Sequence, residues 1–213
     1  MHATREVVIR LSRYKNVLYR LKSLGFVRVF SDNLADALGI SPALVRKDFS
    51  VFGISGNKRG GYRIEDLIAQ LGRILGKDEV QKVVLVGCGK IGTALMAYRG
   101  FAREQIRIAA GFDVNPSKLD PKAPIPILDM GELPGVIARE GIKVAIVTVP
   151  ETAAGHVVET LIAAGIRGIL NFAPISLKSS DACFIHNINI ALELENLFYF
   201  VRFADQESLP ADS

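Results

Sequence analysis

The sequence contains little cysteine and little histidine. Its 213 residues include two cysteines and three histidines. Cys88 and Cys183 fit neither a CxxC motif nor the spacing of metal ligands, so we expect no metal site and a reducing, cytoplasmic location. His2, His156 and His186 have no carboxylate or nucleophile as an obvious partner in the sequence, and no catalytic set is apparent.

Long apolar runs are absent as well. No stretch reaches the roughly 18 residues that a membrane span requires, and Arg5, Arg10 and Arg13 interrupt the N-terminal segment in which a secretion signal would need an apolar run. With 49% hydrophobic and 23% charged residues, the chain has the composition of a globular protein of one large or two small domains. We therefore expect no membrane partner.

Positive charge is concentrated in the first third of the chain. Residues 1–80 contain 14 Lys and Arg against 8 Asp and Glu, whereas residues 81–213 contain 12 against 14. A basic segment joined to a slightly acidic one favours a module that faces a polyanion such as nucleic acid. An ordinary solvated surface would carry the same excess, so charge alone leaves both interpretations open.

The first segment is predicted to be helical. Apolar residues recur with a helical period from Thr4 to Leu24, and Gly25 ends the run. Ser31 or Asp32 is expected to cap a second, shorter helix.

A third helix would complete a helix-turn-helix. Ser41 can cap it, and Pro42 suits its first position because that residue needs no N–H there. Arg46, Lys47 and Ser50 are expected on its exposed face. Arginine can bind a guanine edge, and lysine and serine can hold phosphates, so this helix is a candidate DNA reader.

A basic, glycine-rich tip follows the third helix. Lys58 and Arg59 lie within residues 56–63, which have the composition of a hairpin whose tip could enter a minor groove. A helix-turn-helix followed by a basic hairpin is the winged-helix arrangement. The alternative is a small helical dimerisation cap with a flexible loop, but the order of cap, turn, basic helix and basic hairpin favours DNA binding.

A dinucleotide-binding fingerprint begins late, directly after the apolar run 83–86. Its residues are Gly87, Cys88, Gly89, Lys90, Ile91 and Gly92. The glycines allow a tight turn, a close approach of backbone to pyrophosphate, and close packing of helix on strand. Asp113 lies 21 residues beyond Gly92, where a carboxylate can accept hydrogen bonds from the adenosine ribose and would repel a 2′-phosphate. We therefore predict NAD(H) rather than NADP(H), although Asp113 could instead serve a strand-end turn.

Strands and helices alternate after the fingerprint. The predicted strands cover residues 82–86, 106–112, 125–128, 143–149, 168–171 and 182–187. This alternation predicts an α/β fold with a doubly wound parallel sheet. Ligands of such sheets bind beyond the carboxyl ends of the strands, which adds five candidate cofactor residues after the fourth and fifth strands: Thr148, Val149, Pro150, Asn171 and Phe172. The alternative is that the prolines of these loops are ordinary loop residues.

The last predicted helix, Ile190 to Phe203, carries apolar residues on more than one side. Such a helix must be buried widely. Burial in a second copy of the chain and packing on its own sheet both remain open at this point.

Two rival functions deserve comparison with DNA-linked regulation. An NAD-dependent dehydrogenase with a helical dimerisation arm would need a catalytic side chain and a substrate domain, and few residues follow position 190. A thiol-based regulator would use Cys88, because the N-terminus of a helix can lower a thiol pKa. A cysteine that merely packs in the glycine turn is the other interpretation.

Seven short motifs occur in a fixed order along the chain, at residues 45–50, 52–53, 61–62, 86–92, 112–113, 149–150 and 165–174. Together they resemble the Rex family of redox-sensing transcriptional repressors over nearly the whole chain. The set is specific, although each stretch alone is a weak signal.

The resemblance implies three parts, which are a winged-helix DNA-binding domain over 1–80, a Rossmann NAD(H)-binding domain over 81–188, and a domain-swapped C-terminal helix with its tail over 189–213. It implies a homodimer on a palindromic DNA operator, released when NADH binds, with NAD⁺ competing weakly. It places Tyr98 and Phe101 near the nicotinamide. We therefore expect a repressor that reads the NADH/NAD⁺ ratio and is not an enzyme.

Overall fold

The computed structural model describes residues 4–57 and 60–207. The chain divides into two compact units, Met1–Gln81 and Lys82–Ser213. Each has its own buried core, and each is treated separately below.

The first unit combines helices with a two-stranded sheet. Its described elements are α1 (Arg5–Ser23), β1 (Arg28–Val29), α2 (Ser31–Leu38), α3 (Pro42–Val51), β2 (Tyr62–Arg63) and α4 (Ile64–Ile74). β1 and β2 pair in antiparallel fashion, with Val29 opposite Tyr62. The α2–turn–α3 pair followed by β2 gives the predicted helix-turn-helix with a hairpin.

The cap predicted for α3 is present in the structure, whereas the cap predicted for α2 is not. The Ser41 hydroxyl accepts a hydrogen bond from the Leu44 N–H at 3.2 Å, and Pro42 begins α3 as predicted. The expected cap of α2 by Ser31 or Asp32 is wrong. Ser31 is already helical, and the residue before it is Phe30, whose N–H donates to the Asn33 side chain at 2.9 Å. The side chain from the third helical position thus supplies the cap, as in half of a capping box.

The core of the first unit forms where the apolar faces of the helices meet. Its largest fully buried side chains come from every described helix of the unit: Leu11, Tyr14, Leu18, Leu34, Phe49, Ile64, Leu67 and Leu71. This shared core holds α3 with one face inward and the other face in solvent.

The second unit is a six-stranded sheet flanked by helices. Its elements are β3 (Gln81–Val86), α5 (Lys90–Met96), α6 (Gly100–Arg103), β4 (Ile106–Asp113), β5 (Ile127–Asp129), α7 (Leu133–Glu140), β6 (Val144–Val147), α8 (Glu151–Ala163), β7 (Gly168–Asn171), β8 (Phe184–Asn187) and α9 (Ile190–Glu207). The strand order is β5-β4-β3-β6-β7-β8. The β3–β6, β4–β5, β6–β7 and β7–β8 pairs are parallel.

Both faces of this sheet are covered. Val84 and Val86 belong to one buried cluster, whereas Val83 and Leu85 belong to another. Successive strand residues point to opposite faces, so the unbroken apolar run of β3 reflects burial on both sides. The predicted α/β fold with a doubly wound parallel sheet is confirmed.

Two strand ends that differ from the sequence prediction lie where backbone hydrogen bonding to a neighbouring strand stops. β6 ends at Val147 instead of reaching Val149. Both of its neighbours end in register with Val147, β3 at Val86 before the Gly87 turn and β7 at Asn171, so neither ladder continues beyond it. β5 starts at Ile127 and not at residue 125, because the intervening Pro126 has no N–H to donate to a ladder.

Among the described residues, no helix combines the length and apolar character that crossing a bilayer would require.

Candidate nucleotide cleft and DNA-facing helix

The turn after β3 requires glycine at two positions for steric reasons. Gly87 has a φ of +98°, and a Cβ there would lie 2.7 Å from the Thr148 carbonyl oxygen. A Cβ at Gly92 would collide with the Gly87 carbonyl oxygen. The first turn of α5 can therefore approach the end of β3 only with glycine at both places.

Thr148 ties this turn to the neighbouring strand. Its N–H donates to the Val86 carbonyl at 2.8 Å, and its hydroxyl donates to the Gly87 carbonyl at 2.6 Å. β3 and β6 are adjacent strands whose following connections run to opposite sides of the sheet order. This is the switch point at which doubly wound sheets bind nucleotides.

Asp113 ends β4 and faces the same turn. Its carboxylate is buried and accepts hydrogen bonds from the Cys88 N–H at 2.8 Å and the Asn115 N–H at 2.9 Å, and it pairs with the Lys118 ammonium at 2.9 Å. Burial alone raises the pKa of Asp113, but the Asn115 N–H, Lys118 and the Cys88 N–H together hold the pKa below its ordinary value. The carboxylate is therefore ionised at neutral pH and braces the glycine turn.

The environment of Cys88 argues against a reactive thiol. Burial, helped by the Asp113 carboxylate, raises the pKa of Cys88 to about 11. The sequence-based alternative of a thiol activated by a helix N-terminus is wrong, because desolvation and a neighbouring negative charge disfavour the thiolate.

A cleft of about 280 Å³ opens above these strand ends. Its lining is Val86, Gly87, Gly89, Phe112, Asp113, Val114, Asn115, Lys118, Met130, Thr148, Val149, Pro150, Ala153 and Val157. Six predicted cofactor residues thus come together: Gly87, Gly89, Asp113, Thr148, Val149 and Pro150. Apolar side chains around one buried carboxylate and a glycine turn fit the adenosine half of a dinucleotide.

The remaining predicted cofactor residues lie outside this lining. Cys88 contributes its N–H to Asp113, and Lys90, Ile91 and Gly92 form the first turn of α5. Tyr98 and Phe101 pack edge to face, with ring centroids 5.2 Å apart.

Asn171 and Phe172 also lie outside the cleft lining. The Asn171 amide is buried and donates to the Ile175 carbonyl at 2.8 Å and to the Asn187 side chain at 2.9 Å. Phe172 packs at the margin of the cluster that contains Leu85. In this structure, Asn171 therefore orders the loop after β7.

Sequence reasoning missed several cleft residues. Lys118 lies five residues beyond Asp113 and reaches it only because a short 3-10 turn, Pro116–Lys118, folds the loop back. Met130 reaches the cleft from the short 3-10 helix Met130–Glu132, and Val157 reaches it from α8. The presence of Lys118 soon after Asp113 was the available sequence signal. The spacing of five residues did not by itself indicate that the two side chains pair.

Helix α3 presents the predicted polar face to solvent. Arg46, Lys47 and Ser50 are exposed, whereas Asp48 and Phe49 are buried. The Arg46 guanidinium lies 4.0 Å from the Asp32 carboxylate, and both side chains remain more than half exposed. Such a surface pair is weak, so Arg46 is available to another partner.

The hairpin tip is closed by backbone bonds around Asn57. The Gly61 N–H donates to the Asn57 carbonyl at 2.8 Å, and the Asn57 N–H donates to the Gly61 carbonyl at 3.1 Å. The predicted DNA contacts Lys58 and Arg59 lie outside the described residues.

Helix α9 does not pack on its own sheet. Its large apolar side chains from Ile190 to Phe203 are 49–71% exposed. Of the two interpretations left open by the sequence, packing on its own sheet is therefore wrong. An apolar surface of this kind marks an interaction site.

Comparison with known proteins identifies the family. Residues 4–50 match a family model described as "Putative DNA-binding protein N-terminus", and residues 78–175 match the model of the CoA binding domain. The redox-sensing transcriptional repressor Rex of Bacillus licheniformis is 38% identical over 91% of this chain and 90% of its own length. That of Bacillus subtilis is 37% identical over 91% and 89%. The chain belongs to the Rex family.

Solved structures of this family share the fold. RSP, a Rex-family repressor, matches in its complex with β-NADH at a TM-score of 0.85 and 28% identity, over 97% of both chains. The complex of RSP with β-NAD⁺ and operator DNA matches at a TM-score of 0.88, over 99% of this chain and 100% of the other. The predicted resemblance to the Rex family is confirmed. Within the described residues, no cluster of His, Cys, Asp and Glu is suited to hold a metal ion.

Proposed function

We propose that this protein is a redox-sensing transcriptional repressor, a homodimer that binds palindromic operator DNA and is released when NADH binds. The observation that carries this proposal is the match over 99% of the chain to RSP in complex with NAD⁺ and operator DNA. The basic exposed face of α3 in the first unit and the cleft at the ends of β3 and β6 in the second unit both support it.

We assign DNA contacts to residues 1–80, which lie in the first unit. Arg46 would read a base edge, and Lys47 and Ser50 would hold phosphates, since all three side chains are exposed on one helix. Lys58 and Arg59 would contact a minor groove from the hairpin tip. A dimer of such units on a two-fold axis reads two half-sites, which predicts a palindromic operator.

We assign NAD(H) binding to residues 81–188. The cleft would hold the adenosine half, with Asp113 near the ribose and the turn from Gly87 to Gly92 at the pyrophosphate. The nicotinamide would lie towards Tyr98 and Phe101, with Asn171 and Phe172 at the end of β7 nearby. The oxidised ring is cationic and the reduced ring is neutral, so an apolar surround favours NADH by the desolvation cost of the cation.

We assign the dimer contact to residues 189–213, with α9 swapped onto a second copy. The exposed apolar side chains of α9 support this role. Acting on DNA places the protein in the cytoplasm, and we propose that NAD(H) is a signal there and not a co-substrate, so the protein is a regulator without enzymatic turnover.

The deciding experiment is a gel-shift titration on a palindromic operator with NADH and, separately, with NAD⁺. We expect NADH to release the DNA at a concentration at least about tenfold lower than NAD⁺, because a sensor must respond to NADH in an excess of NAD⁺. Equal effects of the two ligands would contradict redox sensing, and a failure to bind the operator at any salt concentration would contradict the repressor role. NADH recovered unoxidised after incubation would agree with a signalling role.

A further inference from the structure

A buried polar cluster joins α1 to α3 in the first unit. Asp48 is 1% exposed, although it lies in the helix that carries the basic face. Arg10 donates to both carboxylate oxygens, from Nε at 2.6 Å and from Nη2 at 2.8 Å, and the Tyr14 hydroxyl donates at 2.7 Å. A buried carboxylate without partners would be costly, and this bidentate pair with a third donor satisfies it.

The charge state of the cluster is fixed at neutral pH. Burial raises the pKa of Asp48, but the hydrogen bonds from Arg10 and Tyr14 bring the net pKa below its ordinary value. Burial and the hydrogen bond to Asp48 raise the pKa of Tyr14. The cluster therefore keeps a carboxylate and a neutral hydroxyl.

An aromatic column continues from this cluster to the hairpin. The Tyr14 ring packs edge to face on Phe49 with centroids 5.3 Å apart, and Phe49 packs in the same way on Tyr62 at 5.2 Å. Tyr62 lies in β2, directly after the hairpin tip, and its ring covers Gly56 on the other arm. The column thus connects α1, α3 and both arms of the hairpin.

The residues of this network alternate with the predicted DNA contacts along α3. Asp48 and Phe49 point inward between the exposed Lys47 and Ser50. Neighbouring residues of a helix are separated by about 100° around its axis, so fixing two of them fixes the direction of the others. Apolar packing alone tolerates small rotations, whereas a bidentate ion pair accepts one geometry.

We propose that Arg10, Tyr14 and Asp48 form a positioning network that sets the rotation of α3 and its placement against the hairpin. The network thereby determines operator specificity without touching DNA. This inference rests on the proposed function, since it assumes that α3 and the hairpin read the operator together.

The first test removes one hydroxyl. Tyr14→Phe keeps the ring on Phe49 and deletes the hydrogen bond to Asp48. We expect the ratio of operator affinity to scrambled-duplex affinity, measured by fluorescence anisotropy, to fall about fivefold. Tyr19→Phe is the matched control, because it deletes a hydroxyl from the same helix at a side chain that is 47% exposed. It should leave the ratio unchanged.

The second test distinguishes positioning from phosphate contact and from folding. Asp48→Asn should lower the specificity ratio about tenfold or more, at a temperature where circular dichroism shows the variant to be folded. The slope of log affinity for scrambled DNA against log salt should stay at the wild-type value, because no phosphate-binding charge is removed. Lys47→Ala should make that slope less steep and should weaken binding to operator and scrambled DNA alike.

The two Arg10 variants separate charge from geometry. Arg10→Gln should lower the specificity ratio. Arg10→Lys keeps the charge but loses the bidentate hydrogen bonds, so its ratio should lie between those of Arg10→Gln and the wild type.

Three outcomes would overturn the inference. One is an unchanged specificity ratio in folded Tyr14→Phe and folded Asp48→Asn. Another is a fall in affinity that is equal for operator and scrambled DNA. The third is full recovery by Arg10→Lys. Wild-type protein that binds operator no better than scrambled DNA would instead contradict the proposed function. Failure of the positioning network and failure of the proposed function are therefore distinguishable.

Discussion

At the scale of single residues, the glycines of the turn after β3 have different structural roles. Gly87 and Gly92 are required by the protein itself, because a Cβ at either would meet backbone. Gly89 has a φ of −78°, and a Cβ there would meet no heavy atom within 4 Å. The fold itself thus leaves room for a side chain at Gly89, in agreement with the proposal that a pyrophosphate approaches the backbone there.

This difference gives a prediction for two alanine variants. Gly89→Ala should keep the wild-type free energy of unfolding but weaken NADH binding about tenfold or more, because the added methyl stands where the pyrophosphate would approach. Gly92→Ala should lower the free energy of unfolding by about 1–3 kcal/mol through overpacking. Urea unfolding and fluorescence titration with NADH measure the two quantities. A Gly89→Ala variant that binds NADH normally would remove Gly89 from the site.

Asp113 gives a second residue-scale prediction. Its carboxylate is the acidic group in the described lining of the cleft, and Lys118 partly offsets its charge. Asp113→Asn should weaken NADH binding about tenfold and narrow the preference for NADH over NADPH, because the repulsion of a 2′-phosphate falls. Parallel titrations with both nucleotides measure this preference. Asp181→Asn makes the same change of charge at an exposed position and should alter neither.

At the scale of elements, α9 stands apart from the rest of the second unit. Every residue from Asn189 to Phe203 is exposed, whereas α7 and α8 each bury part of one face. An isolated helix of this length is marginal in water without tertiary packing. Its order therefore depends on a surface that covers it.

A charge on α9 should separate the dimer. Phe198 is 71% exposed in the single chain, and Phe198→Asp would place a carboxylate in the buried interface of the proposed swap. We expect a monomer by light scattering, with operator affinity reduced because one subunit contacts one half-site. Glu195→Gln, an exposed polar change on the same helix, should remain dimeric. A dimeric Phe198→Asp variant would contradict the assignment of α9.

At the scale of the whole molecule, the described part of each unit contains one buried carboxylate held in the charged form. Asp48 in the first unit and Asp113 in the second both have a lowered pKa. A carboxyl with a lower pKa in the folded state binds fewer protons there than in the unfolded chain, so stability rises with pH up to the unfolded value of about 4. Above that pH the contribution is complete.

The resulting pH dependence is testable on the full chain. The part of the unfolding free energy due to these two carboxyls should be constant from about pH 6 to pH 8 and should be lost as the pH falls below about 4. Urea unfolding followed by circular dichroism at each pH measures this loss. Asp48→Asn should be less stable at neutral pH and should lose less stability on acidification than the wild type. Identical acid profiles would show that Asp48 does not contribute through its charge.

Much of the architecture was predictable because short-range sequence patterns specify it. The alternation of apolar strands with helices predicted the α/β sheet, and Ser41 with Pro42 predicted the start of α3. The fingerprint from Gly87 to Gly92 predicted the turn because its glycine spacing is a local signal, although the contacts that require Gly87 and Gly92 also involve Thr148 beyond the end of β6. The cap of α2 and the end of β6 were missed because each depends on a competing neighbour.

The sequence by itself determined the two modules, the basic face of α3 and the nucleotide fingerprint, because periodicity, capping and turn chemistry act over a few residues. Only the tertiary structure decided which side chains neutralise one another. Arg10 meets Asp48 across 38 residues, and Lys118 closes on Asp113 through a folded loop. Tertiary structure also decided that α9 leaves its own sheet. These features depend on packing between distant segments, and no local pattern encodes it.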